Sequence, residues 1–175
     1  YQAMESVVER LKGNPVPICI PLEDKSVINL IDEEHITFSG ENGEIISVGP
    51  IPAEYEELVA EHRETTLMAA AEQDEELEEL VIMEEEVEPS QIWNALRKGT
   101  LEGKIHPAFG GSALRNWGVQ PLLDAVLKIL PAPLDRPASI AKTVDDQEVI
   151  IEMDKTQPLV ALAFKVQMWD GRRHV

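Results

Sequence analysis

One stretch of the chain combines residue types that could bind a ligand through the backbone. The apolar, strand-like run Ile105–Phe109 is followed by Gly110, Gly111, Ser112 and Ala113. Glycine has no Cβ, so it permits a positive φ and a close approach of the backbone to another group. In α/β folds, ligands bind where strands end. The stretch therefore predicts backbone N–H groups at the end of a sheet, although an ordinary strand–turn–helix connection has the same pattern.

A second candidate is a strongly acidic segment. Residues 54–88 contain fifteen Asp or Glu and one Arg, a net charge of −14 out of the −18 of the whole chain. Apolar residues recur within it at helical spacing, which predicts ordered amphipathic helices. Such a face is either simply solvated or a docking surface for a lysine-rich partner. The segment lacks the spacing of a calcium-binding loop, so no metal site is predicted.

The sequence contains no other pattern that predicts a catalytic or metal-binding site. The four histidines, His35, His62, His106 and His174, occur singly, without Cys or His at metal-ligand spacing and without a Ser-His-Asp pattern. The lone cysteine, Cys19, lies in an apolar run and is expected to be buried rather than nucleophilic. Neither glycine-rich phosphate motif occurs, so a phosphate cradle would have to lie outside this sequence.

Composition excludes several classes of protein. A length of 175 residues and an apolar fraction of 43% suit one domain, or a domain with a subdomain. The charge of −18 argues against nucleic-acid and anionic-membrane surfaces and favours a basic protein partner. No apolar run reaches transmembrane length and no signal peptide is present, so a cytoplasmic protein is expected. The chain starts without Met and ends just after a charged turn, and we expect it to be a fragment of a longer protein.

Apolar periodicity predicts the elements that position these features in the first half of the chain. Residues 1–12 predict a helix, and 27–48 predict antiparallel strands with a turn at 40–43. The run 16–22 predicts a strand, and its prolines suit an edge or terminal strand. Three helices follow: one from Pro52 through Ala69, one over 74–83, and one with Ser90 as its N-cap and Gly99 as its stop.

The second half is predicted in the same way. The strand 105–109 leads through the glycines into a helix, whose buried stripe is expected to be Val119, Leu122, Leu123, Val126 and Leu130. After Arg136 the composition changes. The segments 148–152 and 158–169 predict strands, and Asp170-Gly171 predicts a hairpin turn.

The order of these elements and several local sequences resemble a known family. The matching stretches are Arg10-Leu-Lys-Gly-Asn-Pro-Val-Pro17, Gly111-Ser-Ala-Leu-Arg-Asn-Trp-Gly-Val-Gln120, Leu130-Pro-Ala-Pro133 and Leu162-Ala-Phe-Lys-Val166. Over nearly its whole length the chain is similar to bacterial elongation factor G and related translational GTPases. It departs from the family pattern at Gly110, where a Cys or similar residue is usual, and after Met168. The departures leave open a translocase, a secondary paralogue, a ribosome-protection factor or a release-type factor.

The resemblance implies an α/β fold. Residues 1–135 would be the C-terminal part of a P-loop-type GTPase domain, and an acidic α/β subdomain would be inserted at about 16–104. Residues 145–175 would begin a β-barrel domain. By the same resemblance, the intact parent binds GTP and Mg²⁺ and hydrolyses GTP on the ribosome during translocation. The fragment would hold no catalytic or metal-binding residue and no cofactor, and would bind neither nucleic acid specifically nor a membrane.

Two sets of site residues follow from the resemblance. Ser112, Ala113 and Leu114 match the loop that contacts guanine, chiefly through the backbone N–H of Ala113 and the O6 acceptor of the base. The helix that faces the lysine-bearing ribosomal stalk protein would present Glu54, Glu57, Glu61 and Glu64. From the residues alone, the competing hypothesis is a non-catalytic acidic module that binds a basic partner, in which Gly-Gly-Ser-Ala is only a turn.

We predict that residues 1–175 alone have no measurable affinity for GTP. The segments that hold the phosphates, the Mg²⁺ ion, the attacking water and the main base-specificity motif are not in this sequence. Isothermal titration calorimetry with GTP in the presence of Mg²⁺ measures this directly. A dissociation constant in the micromolar range would contradict the prediction.

Overall fold

The computed structural model describes residues 2–169 and 172–174, and the chain divides into two units, Tyr1–Leu130 and Pro131–Val175. The first unit contains a five-stranded sheet in the order β4-β3-β2-β1-β5. The pair β1–β5 is parallel and the other three pairs are antiparallel. The predicted α/β class is therefore confirmed. The strands are β1 Pro15–Pro21, β2 Val27–Asn29, β3 Glu34–Ser39, β4 Ile45–Gly49 and β5 His106–Phe109.

Among the described residues, five α-helices accompany this sheet. They are α1 Gln2–Leu11, α2 Glu56–Ala71, α3 Glu75–Ile82, α4 Pro89–Leu101 and α5 Val119–Ile129. The main core joins residues of β1 to residues of α2, α3, α4 and α5. Ile18, Leu77 and Leu96 lie in it with 2% exposure or less. None of the helices in the described residues is long and apolar enough to cross a membrane.

β1 lies inside the sheet, so the prediction of an edge or terminal strand from its prolines is wrong. The carbonyl of Ile18 accepts from Leu30 N on the β2 side (2.9 Å), and the carbonyl of Cys19 accepts from Gly110 N on the β5 side (2.8 Å). Alternate residues of a strand bond opposite neighbours. The alternation changes at the register shift between Pro17 and Cys19. After the shift, Pro21 faces the β5 side, where β5 has already ended; before it, His106 N donates to Asn14 O at 2.8 Å, so Pro15 and Pro17 face away from β5. The β1–β2 register covers residues 19–21, so the missing N–H groups of Pro15 and Pro17 leave no bond of that ladder unmade.

Helix α2 is fixed to β1 by a buried polar contact. The hydroxyl of Thr66, which is 2% exposed, donates to the carbonyl of Pro17 at 2.6 Å. Pro17 precedes the register shift between β1 and β5, where the ladder is irregular. A buried carbonyl without a partner is costly, so the threonine satisfies a group that the bulged ladder leaves accessible.

The predicted boundaries of α4 are wrong at both ends. The helix begins at Pro89, with Glu88 as N-cap and Gln91 Oε1 accepting from Glu88 N at 3.0 Å. Gly99 lies inside the helix and is buried, and the helix continues to Leu101. A Cβ at Gly99 would lie 2.7 Å from Cγ of Gln73. The glycine therefore allows close packing rather than ending the helix.

The predicted buried stripe of α5 is also wrong. The buried residues of this helix are Ala125 and Ile129. Leu122 and Leu123, which the pattern placed inside, are 41% and 58% exposed. Helical periodicity identifies an apolar face, but the neighbouring elements decide which part of that face they cover. Here α4 is the neighbour, and Arg97 Nη1 of α4 donates to Leu130 O at 2.9 Å, just past the end of α5.

In its described residues, the second unit contains two short antiparallel pairs. β6 (Ser139–Lys142) pairs with β7 (Glu148–Ile151), and β8 (Gln167–Trp169) pairs with β9 (Arg172–His174). The strand predicted over 158–169 is confirmed only for its last three residues, because residues 158–166 form neither helix nor strand. The predicted turn Asp170-Gly171 lies outside the described residues.

Candidate functional site

The strand β5 carries the glycines to the end of the sheet, beside β1. Beyond it the chain closes a short loop, in which Ser112 N donates to Trp117 O at 2.8 Å and Trp117 N donates to Ser112 O at 3.0 Å. A 3₁₀ turn over Ala113–Arg115 lies inside this loop, and Asn116 follows in the left-handed conformation with φ of 58°. The loop is therefore closed by its own backbone hydrogen bonds.

The tip of the loop presents two free donors. The backbone hydrogen bonds within the loop are donated by Ser112, Arg115, Asn116 and Trp117. In the described part of the chain, no group accepts from the backbone N–H of Ala113 or of its neighbour Leu114. Ala113 is exposed, and Leu114 is 94% exposed. Two adjacent N–H groups at an open tip can bind a carbonyl oxygen of a ligand.

The two glycines before the loop act through their size. Neither Gly110 nor Gly111 has a positive φ, so that part of the prediction is wrong. The close-approach part is confirmed: a Cβ on Gly110 would overlap Cδ of Pro21, and a Cβ on Gly111 would lie 2.5 Å from Trp117 O. The left-handed glycine here is Gly118, the N-cap of α5, with φ of 75°.

A small cavity of about 190 Å³ lies beside the loop. Lys25 and Ser26 line it from the β1–β2 turn, and Gly111, Ser112 and Trp117 line it from the loop. Lys25 Nζ lies 5.4 Å from the centroid of the Trp117 ring, within the range of a cation–π contact. No sequence pattern indicates this contact, because Lys25 and Trp117 are brought together only by the pairing of β1 with β5.

The acidic face is the second candidate site, and it comprises Glu54 in the 3₁₀ turn before α2 with Glu57, Glu61 and Glu64 of α2 itself. All four residues are exposed. The single arginine of the acidic segment, Arg63, forms an ion pair with Glu33 at 3.1 Å, and Glu33 lies outside that segment. The positive charge of Arg63 is thus matched by an additional carboxylate.

The structure brings together a serine, a histidine and an aspartate that the sequence analysis did not combine. Ser26 Oγ donates to Asp24 Oδ1 at 2.5 Å, and His35 Nε2 lies 2.7 Å from the same hydroxyl. Since the hydroxyl proton goes to Asp24, His35 donates to Ser26 and cannot act as its base. In a catalytic triad the histidine lies between the serine and the acid. The group therefore joins the β1–β2 turn to β3 and is not a nucleophile.

This contact also affects Asp24. The hydrogen bond from Ser26 lowers the pKa of the Asp24 carboxyl below its ordinary value. A carboxyl whose pKa is lower in the folded state stabilises the fold above the pKa of the unfolded chain. That stabilisation is lost as the pH falls through the folded pKa. The Asp24–Ser26 bond therefore weakens in acid.

The lone cysteine is a core residue, as the sequence predicted. Cys19 is 3% exposed, and burial raises the pKa of its thiol to about 12, with Asp32 adding to the effect. A thiol is nucleophilic only as its thiolate, so Cys19 is unreactive at neutral pH. Over the described residues, 2–169 and 172–174, no group of three or more His, Cys, Asp or Glu side chains is arranged to hold a metal ion.

The chain is similar to known proteins both in sequence and in structure. No protein-family model matches the chain. Over 173 residues, 96% of the chain, the sequence is 39% identical to elongation factor G of Thermotoga maritima and of Thermotoga petrophila. The chain spans 25% of the length of each of these relatives. A crystal structure of a protein from Thermus thermophilus is similar to this chain, with a TM-score of 0.64 and 29% sequence identity. The match covers 81% of this chain and 22% of the Thermus thermophilus chain.

We expect Gly110→Ala to destabilise the fold. The added Cβ would overlap the ring of Pro21, which is part of β1 and cannot rotate away. Overpacking of this kind lowers the free energy of unfolding by about 1–3 kcal/mol, which chemical denaturation measures. The matched control is Gly49→Ala in β4, where no heavy atom lies within 4 Å of the added Cβ. Equal losses in the two variants would show that the contact with Pro21 is not the cause.

Proposed function

This chain belongs, over the quarter of their length that it spans, with the elongation factor G proteins, and from that premise we propose that it is part of a ribosome-associated GTPase that acts in translocation. The intact protein binds GTP with Mg²⁺ and hydrolyses it on the ribosome in the cytoplasm. The observation in this chain that supports the proposal is the pair of free N–H groups of Ala113 and Leu114, at the end of β5.

In the proposed site, Ser112, Ala113 and Leu114 contact the guanine base. Guanine carries an acceptor oxygen, O6, where adenine carries an amino donor. Free N–H donors therefore bind guanine and oppose adenine, since an N–H group facing an amino group leaves both without a partner. The small side chain of Ala113 leaves room for a planar base beside these donors.

The rest of the nucleotide is held elsewhere in the proposed parent. When bound, Mg²⁺ neutralises charge on the β- and γ-phosphates during phosphoryl transfer. The residues of this chain act on the base alone. The bonds between Ser112 and Trp117 close the loop and leave the two donors adjacent at its exposed tip. Their contribution is to binding and specificity, and none of the residues 112–114 takes part in hydrolysis.

Ala113→Pro tests the guanine contact in the intact protein. Proline removes the backbone N–H, and it fits the first position of a helical turn. Ser112 before it is already extended, with φ of −130° and ψ of 100°, as a residue before proline must be. We expect GTP affinity to fall about tenfold, the effect of losing roughly one hydrogen bond, as measured by equilibrium titration with a fluorescent GTP analogue.

The control for this substitution is Ala53→Pro. Ala53 also begins a 3₁₀ turn, is exposed, and follows an extended residue, Pro52, with ψ of 142°. We expect GTP affinity to be unchanged in this variant. Unchanged GTP affinity in Ala113→Pro as well would exclude the guanine contact and favour the hypothesis of an acidic interaction module.

We further propose that the acidic face docks the lysine-bearing ribosomal stalk protein. Glu57, Glu61 and Glu64 follow one another at intervals of four and three residues, so they lie along one side of α2. All are exposed, together with Glu54. A concentrated negative field of this kind attracts a positively charged surface and raises the rate of encounter.

Reversing two of these charges tests the docking proposal. We expect Glu57→Lys with Glu61→Lys to slow association with ribosomes about tenfold at low ionic strength, with a smaller effect at high salt because the interaction is screened. Stopped-flow binding to ribosomes with and without the stalk protein measures this. Glu148→Lys with Glu152→Lys, two exposed residues of the second unit, makes the same charge change elsewhere. If the α2 variant associates as the control does, the acidic face is only solvated.

A further inference from the structure

A groove of about 380 Å³ lies between the β3–β4 hairpin and α5, within the first unit. We refer to it as the hairpin groove. Ile46 and Val48 of β4 and Trp93 of α4 supply its apolar surface, and Glu34, Gln120 and Asp124 supply polar groups. None of these residues belongs to the proposed guanine-binding residues 112–114 or to the acidic face. The groove is therefore a separate surface, and a ligand bound there would be additional to the proposed function.

The apolar side of the hairpin groove is open. Ile46 is 41% exposed and Val48 is 57% exposed, on a strand that forms the edge of the sheet. Among the described residues, no strand pairs with the outer side of β4. Exposed aliphatic side chains on an unpaired edge strand are a liability that proteins usually avoid. Their presence is typical of a surface that a partner covers.

One carboxylate in the hairpin groove is already satisfied. Asp32 accepts from Asn29 Nδ2 at 2.7 Å and from Trp93 Nε1 at 3.0 Å. Its ion pair with Lys128 Nζ, at 3.5 Å, balances its charge. The same ammonium group lies 4.3 Å from the centroid of the Trp93 ring. The lysine that lines the groove is thus held by Asp32 and Trp93.

Three other polar side chains of the groove, Glu34, Asp124 and Gln120, offer acceptors without a donor. Neither Glu34 nor Asp124 makes a side-chain hydrogen bond or ion pair within the described part of the chain. Gln120 Oε1 is buried and has no hydrogen-bond partner there. A buried acceptor without a donor destabilises a protein unless something else supplies the donor. A ligand of this groove must therefore bring N–H groups and positive charge.

We propose that the hairpin groove binds an arginine side chain carried by an extended segment of a protein partner. The guanidinium group has five N–H donors in a fixed plane, which suit two carboxylates and one amide oxygen. Its aliphatic stem packs on Ile46 and Val48. The free edge of β4 can pair with the extended backbone of the segment, as in other cases of strand addition.

A short peptide tests the proposal on the full 175-residue chain. The probe is the acetylated, amidated peptide Val-Thr-Arg-Thr-Val, titrated into ¹⁵N-labelled protein at low ionic strength. We expect resonance shifts at the Trp93 indole N–H, the Gln120 side-chain amide and the backbone amides of β4. A peptide with citrulline in place of arginine keeps the shape but loses the charge, and it should bind about tenfold more weakly.

Matched variants then locate the site. Glu34→Gln with Asp124→Asn removes two charges from the groove and should weaken binding of the arginine peptide about tenfold. Glu75→Gln with Glu79→Gln removes two exposed charges from α3 and should leave binding unchanged. Equal weakening in both variants, equal binding of the citrulline peptide, or shifts confined to α2 and α3 would overturn the proposal. The citrulline comparison uses the unaltered chain, so it holds even if a variant fails to fold.

Discussion

The parallel pairing of β1 with β5 is the constraint on which the rest of the first unit depends. It joins Pro15 to His106, residues that are far apart in the sequence, and it ends in the bond from Gly110 N to Cys19 O. A parallel pair needs a long connection between its strands. Here that connection contains the β2–β4 strands and the helices α2, α3 and α4, so the acidic face exists within a crossover that returns the chain to the loop after β5.

Close packing at this pairing explains why the loop residues are small. Pro21 leaves no space for a side chain at Gly110, and Trp117 O leaves none at Gly111. Because the loop satisfies its own closing hydrogen bonds between Ser112 and Trp117, the donors at its tip are not used internally. The site proposed for guanine thus depends on steric fit below the loop and on hydrogen bonding within it.

Charge is distributed in two different ways in this acidic chain. The carboxylates of the acidic face are exposed to water, which solvates them at little cost in free energy. In the hairpin groove, Asp32 is partly buried and is compensated by Asn29, Trp93 and Lys128. Glu34 and Asp124 line the same groove without such compensation. The partners proposed for the two surfaces therefore differ: one is attracted over a long range, and the other is bound at close contact.

Most helices, the hairpin at 40–43, the strand before the glycines and the burial of Cys19 could be predicted from local sequence, because periodicity and turn chemistry are local. Tertiary structure alone decided that β1 lies inside the sheet, that Gly99 packs inside a helix, and that Leu122 of α5 remains exposed. Each of these depends on which element lies alongside, and pairing between distant segments leaves no local signature. The free donors at Ala113 and Leu114 depend on the sequence and on the fold. The loop residues could be identified from the sequence, whereas the unpaired state of their N–H groups required the folded backbone.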